Sequence, residues 1–95
     1  MLEYLKDHIL DEIEGAEDYM TKAVEHKGTE YGCKFRKMAE MELEHANAMT
    51  AMFRKMEKPK SMTDAQYSEM LKGILKAYSE GMANIEALKK MYWAE

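Results

Sequence analysis

The positions of the helix-breaking residues limit the possible folds of this chain more than any other feature. Its single proline, Pro59, lies in the segment EKPKSMT, and Gly28 and Gly32 enclose a turn in the segment HKGTEYG. Between these breaks the residues are mostly Glu, Lys, Ala, Leu and Met, which are strong helix formers. The sequence therefore predicts an all-α fold in a single domain, residues 1–95. Three helices are expected, at about residues 2–26, 31–57 and 64–93.

Apolar residues recur at helical spacing in each predicted helix. The stripe of the first helix comprises Leu2, Leu5, Ile9, Glu12, Ala16, Tyr19, Ala23 and His26. One line of the second helix comprises Tyr31, Phe35, Met38, Glu42, His45, Met49, Met52 and Met56, and a second line comprises Ala39, Leu43, Ala46, Thr50 and Phe53. Because the second helix is apolar on two sides, we expect it to be the central one.

The third helix differs from the first two in having no acid or histidine in its apolar stripe. That stripe comprises Tyr67, Leu71, Ile74, Tyr78, Gly81, Ile85, Leu88 and Tyr92. Thr63, with Gln66 three residues later, predicts a capping box at the start of this helix. We therefore expect the third helix to pack against the other two rather than to carry chemistry.

Three polar residues, Glu12, Glu42 and His45, lie inside the stripes of the first two helices. The E-x-x-H spacing places Glu42 and His45 one turn apart on one helix face. If the two helices form an antiparallel hairpin around Gly28, Glu12 is level with His45, about 25 Å from the turn. Burying a carboxylate is costly unless a partner compensates its charge, and Fe(II), Mn(II) or Zn(II) would suit these ligands. The sequence therefore predicts a metal site in the middle of the hairpin.

One chain of this size offers only three such ligands, and small domains often gain missing burial by self-association. Two hairpins related by a two-fold axis would form a four-helix bundle with four glutamates and two histidines. This is the ligand set of ferritin-like di-iron proteins. We therefore expect a homodimer or a larger even-numbered homo-oligomer.

The arrangement of Glu12, Tyr19, Glu42 and His45 resembles the encapsulated ferritins, or half-ferritins, within the ferritin-like and rubrerythrin-like di-iron proteins. The similarity covers residues 11–56, about half the chain. It implies a ferroxidase that oxidises Fe(II) for iron storage or detoxification, with two irons per dimer. By this resemblance Glu12 would be a terminal ligand, Glu42 a bridging carboxylate, His45 the nitrogen ligand and Tyr19 a neighbour of the site.

The resemblance also bears on how metal reaches the site and on partners. Three flanking acids would guide metal to the site, namely Asp11, Glu14 and Glu44. An encapsulating shell protein is a second partner that the resemblance implies. The chain differs from the family in having Asp18 where a Trp is usual, and its C-terminal KKMYWAE does not look like a shell-targeting tail.

Charge and cysteine content exclude several classes of partner and an internal disulfide. The net charge of -4 and the absence of a basic cluster argue against nucleic-acid or anionic-membrane partners. No apolar run approaches the roughly 18 residues of a membrane span. The single cysteine, Cys33, excludes an internal disulfide, so a soluble protein of the reducing cytoplasm is expected.

Two alternatives to the ferroxidase interpretation remain open. In the main one, the chain is a metal-free helical module for self-assembly or interaction, and Glu42 with His45 is a hydrogen-bonded pair. Glu12 would then lie one position outside the true apolar stripe. In the second, His45 and a methionine would be axial ligands of a haem.

Overall fold

The chain is all-α, as the sequence predicts, and the computed structural model describes all 95 residues. Its helices are α1 (Leu2–Glu25), α2 (Glu30–Lys55) and α3 (Asp64–Trp93). Helix α2 ends two residues earlier than expected, because Met56 is already extended at φ -81° and ψ 139°. None of the three helices combines the length and apolar composition that a membrane crossing needs.

The helix ends follow from local sequence. Gly28 adopts φ +84° in the turn after α1, a backbone conformation that residues other than glycine rarely adopt. The Thr29 hydroxyl then caps α2 by accepting a hydrogen bond from the Gly32 N–H at 3.2 Å. At the start of α3, Thr63 and Gln66 form the predicted capping box, with reciprocal hydrogen bonds of 3.1 and 2.9 Å. The turn at Gly28 and the cap at Thr29 join α1 and α2 as an antiparallel hairpin.

Helix α1, and not α2, is the central helix. It packs against both neighbours, whereas no Cα atom of α2 lies within 8 Å of a Cα atom of α3. The expectation of a central α2 is therefore wrong. The buried residues of α2 form one line only, Ala39, Leu43, Ala46, Thr50 and Phe53, with Gly32 near the start of the helix. The buried stripe of α1 is wider, because Ile13 and Met20 add a second side that reaches α3.

The hydrophobic core consists of two clusters that follow one another along the hairpin. The first comprises Leu2, Leu5, Ile9, Ile13, Ala46, Phe53 and Ile74. The second comprises Ala16, Met20, Ala23, Ala39, Leu43 and Ile85. The two clusters meet between Ile13 and Ala16 on α1 and between Leu43 and Ala46 on α2. The residues predicted to bind metal lie at this same level of the hairpin.

Helix α3 covers only one side of the hairpin. Its Asn84 donates a hydrogen bond to Glu17 of α1, and its Tyr78 hydroxyl donates one to Asn47 of α2. Because residues two positions apart on a helix point about 200° apart, α3 contacts the side of α2 opposite His45. The side of the hairpin that carries His45 is left uncovered in the single chain.

This uncovered side carries half of the first predicted apolar line of α2, which we call the open face: Tyr31, Met38, His45 and Met52. These residues are seven apart, and all four are exposed. Tyr31 is 67% exposed and Met52 is 54% exposed. Two apolar lines therefore exist on α2, as predicted. The Ala- and Leu-containing line is buried, whereas the other line packs within the chain only in part, through Phe35, Met49 and Met56.

Candidate metal centre

The fold brings the three predicted ligands together. Glu12 of α1 and Glu42 and His45 of α2 each offer a ligand atom, and these atoms lie within 4.8 Å of one another. His45 Nδ1 lies 3.5 Å from Glu12 Oε2. The antiparallel register places α1 and α2 level at these positions, and the E-x-x-H spacing puts both α2 ligands on the same side.

The three side chains differ in burial. Glu12 points into the hairpin and its side chain is 18% exposed, whereas that of His45 is 56% exposed on the open face. Glu42 is half-buried between them. The site therefore has an inner wall supplied by α1 and an outer opening at the open face.

One carboxylate oxygen at the inner wall lacks a hydrogen-bond partner. Glu12 Oε2 is buried and accepts no hydrogen bond, since its distance from His45 Nδ1 exceeds the usual limit of about 3.2 Å. A buried acceptor without a partner is destabilising, more so when it is charged. A cation between Glu12, Glu42 and His45 would satisfy this oxygen, so these residues fit a metal ion.

The two carboxyl groups also perturb each other. The pKa of Glu42 is raised from its ordinary value of 4.5 to about 7. The largest cause is the Glu12 carboxyl, to which a protonated Glu42 would donate a hydrogen bond, followed by burial and by the negative charge of Glu12. The charge of His45 acts in the opposite direction. A bound cation would favour the ionised form of both carboxyl groups, because it offsets the repulsion between them.

The donor set is two carboxylates and one imidazole, which suits Fe(II), Mn(II) or Zn(II). Three side chains do not complete the coordination shell of such an ion. The remaining ligands must come from solvent, from an oxidant or from another protein chain, and the open face is the side from which they can reach the site.

The other residues singled out in the sequence lie outside this cluster. Tyr19 is half-buried, and its ring is stacked 6.4 Å from that of Phe35. The acids Asp11, Glu14 and Glu44 are exposed next to the ligand positions. They are placed where they could attract cations, but they contribute no atom to the cluster.

Gly15 also borders the site, although the sequence pattern assigns it no role. A Cβ atom built at this position would lie 3.2 Å from Glu42 Oε2. The one feature of the sequence that could have indicated this position is a glycine in the interior of a helix, three residues after Glu12. The contact itself depends on the neighbouring helix and is not visible in the sequence.

Comparisons with models of protein families, with curated proteins and with solved structures found no match to this chain.

Proposed function

We propose that this protein binds Fe(II) at a site formed between two copies of the chain and oxidises it there. The observation that carries the proposal is the buried Oε2 of Glu12, which has no hydrogen-bond partner and lies beside Glu42 and His45. An unpaired buried carboxylate oxygen is unfavourable in a polar cluster that serves stability alone. A cation supplies the missing partner.

The second copy is inferred from the open face. Tyr31, Met38 and Met52 expose apolar side chains on both sides of His45 along α2. Pairing two such faces about a two-fold axis would bury them and bring two clusters together. The product is a ferritin-like four-helix bundle with four glutamates and two histidines, and it is the arrangement that the resemblance to encapsulated ferritins implies.

The protein residues have distinct roles in this proposal. Glu12 would hold metal from the inner wall and His45 would supply nitrogen at the opening, with the terminal role for Glu12 and the bridging role for Glu42 that the resemblance implies. Iron is both bound metal and substrate, and it supplies the redox chemistry by giving electrons to dioxygen or a peroxide. Mn(II) or Zn(II) would fit the same ligands.

Two further groups of residues act around the ligands. The exposed acids Asp11, Glu14 and Glu44 raise the local concentration of Fe(II) and offer Fe(III) a path away from the site. Tyr19 lies two turns along α1 from Glu12, and the resemblance implies that it is a neighbour of the site. The oxidised iron is stored or rendered harmless, and a shell protein is a further partner that would receive it.

Proton release accompanies metal binding. With a pKa of about 7, the Glu42 carboxyl is partly protonated in the metal-free protein near neutral pH. A metal ligand must be deprotonated, so Glu42 loses this proton when the cation binds. Metal affinity consequently rises as the pH is raised towards 7.

The test of this function is Fe(II) oxidation by Glu42→Gln, which keeps the shape of the side chain and removes its charge. We expect the oxidation rate, followed by Fe(III) absorbance under air, to fall to the protein-free rate. The matched control is Glu80→Gln, because Glu80 lies on α3 and is exposed. It should oxidise Fe(II) like wild type. Equal rates in wild type and Glu42→Gln would contradict the site assignment.

A metal-free self-assembly module is the second candidate function, and the open face favours it too. This alternative treats Glu42 and His45 as a costly polar cluster, so replacing either with Leu should keep or raise stability without changing iron content. The ferroxidase proposal expects the same replacements to abolish iron binding. Metal content therefore separates the two functions, whereas oligomer formation does not.

A further inference from the structure

Gly15 faces the carboxylate of Glu42 across the contact between α1 and α2. A Cβ atom at this position would lie 3.2 Å from Oε2, 3.6 Å from Cδ and 3.8 Å from Cγ of Glu42. All three of its nearest neighbours outside the surrounding turn of α1 are atoms of Glu42. The Glu42 side chain therefore lies where a side chain at position 15 would make its closest contact.

The backbone does not require glycine here. Gly15 lies inside α1, and the only glycine with positive φ is Gly28. Glycine in a helix interior is less favourable than alanine, so its presence lowers the stability of α1 unless the missing side chain has another use. The contact with Glu42 offers such a use.

We propose that Gly15 is a positioning residue for the metal site, an inference that rests on the proposed function. The missing side chain lets the Glu42 carboxylate lie against α1, within reach of the atoms offered by Glu12 and His45. A methyl group at position 15 would displace Oε2 by a few tenths of an ångström. Because the groups of a metal site must be held within about 0.5 Å of their productive positions, a displacement of this size uses up much of that tolerance and weakens binding.

The test compares Gly15→Ala with Gly73→Ala, using Co(II) alone as the probe. Gly73 lies inside α3 and a Cβ there would have no neighbour within 4 Å, so it reports the gain in helix propensity without any contact. We expect Gly15→Ala to bind Co(II) about tenfold more weakly and with a changed visible spectrum. Gly73→Ala should match wild type in both measurements.

A second measurement needs no metal. Thermal unfolding of the metal-free protein should show that Gly15→Ala stabilises less than Gly73→Ala, because the methyl group pushes against Glu42. In a Glu42→Ala background the methyl group no longer meets the Glu42 carboxylate, so the increase in Tm from Gly15→Ala should recover towards that of Gly73→Ala. Equal increases in both backgrounds would show that the contact has no consequence and would overturn the inference.

The possible failures are distinguishable. If the wild-type protein binds no Co(II) and no Fe(II), the proposed function fails, and the role of Gly15 in positioning a metal ligand fails with it. If wild type binds Co(II) and Gly15→Ala binds it equally tightly with the same spectrum, only the inference about Gly15 is wrong.

Discussion

Glu12 and Glu42 are two carboxyl groups that are held close together inside a hairpin otherwise packed with apolar residues. Natural cores avoid such pairs, because each additional buried charge is repelled by the first and loses its hydration. When both groups are ionised, the buried Oε2 of Glu12 has no hydrogen-bond partner. The proposed function gives this pair a use, because a bound cation would offset the repulsion between the two carboxylates.

The raised pKa of Glu42 predicts how the stability of the metal-free protein depends on pH. Between its ordinary pKa of 4.5 and its folded-state pKa of about 7, the folded protein holds a proton that the unfolded chain has lost. Stability contributed by this group is therefore complete below about pH 4.5 and is lost as the pH rises to about 7.

Urea unfolding in a chelating buffer measures this dependence. We expect the free energy of unfolding of Glu42→Gln to vary less between pH 4.5 and 7 than that of wild type, while Glu80→Gln retains the wild-type slope. The same slope in all three proteins would show that Glu42 does not titrate in this range.

The contact between α1 and α3 depends on a second glycine. Gly81 is buried, and a Cβ atom there would overlap Cγ2 of Ile13. We expect overpacking in Gly81→Ala to destabilise the protein by about 1–3 kcal/mol. The better helix propensity of alanine offsets up to about 1 kcal/mol of this loss. The free energy of unfolding in urea measures this change. Gly73→Ala is the control and should be stabilised, so a stabilised Gly81→Ala would mean that α3 does not pack closely on α1.

Most of the element-level structure follows from the sequence. The breaks at Gly28 and Pro59 and the capping box at Thr63 depend on local chemistry, and the structure shows helix ends within two residues of the expected ones. The convergence of Glu12 with His45 follows from the length of a single turn, because an antiparallel hairpin leaves little freedom in register.

The position of α2 could not be predicted in the same way. Periodicity reveals that α2 is apolar on two sides, but it does not show whether a line such as Met38 and Met52 packs within the chain or on another molecule. The small residues Ala39 and Ala46 allow α1 to approach closely on one side, and the methionines remain exposed on the other. The role of Gly15 was hidden for a related reason, since it depends on an atom of the neighbouring helix.

At the scale of the whole molecule, the open face predicts how two chains associate. Met52 is 54% exposed, so Met52→Glu should not unfold the single chain, whereas a glutamate buried between two open faces would lose its hydration and oppose their pairing. We expect this variant to be monomeric by light scattering and to lose bound iron. Leu75→Glu on α3 is the control, because Leu75 is 44% exposed on a different helix. A Met52→Glu protein with the wild-type mass would place the interface elsewhere.

The most direct test of the account is the iron content of the protein after anaerobic loading with Fe(II) and desalting, with the oligomer mass measured on the same sample. Two shared ions per pair of chains predict about one iron per chain in an even-numbered oligomer. A well-folded oligomer that retains no iron above background would contradict the account, and Glu12, Glu42 and His45 would then be a structural polar cluster in a helical assembly module.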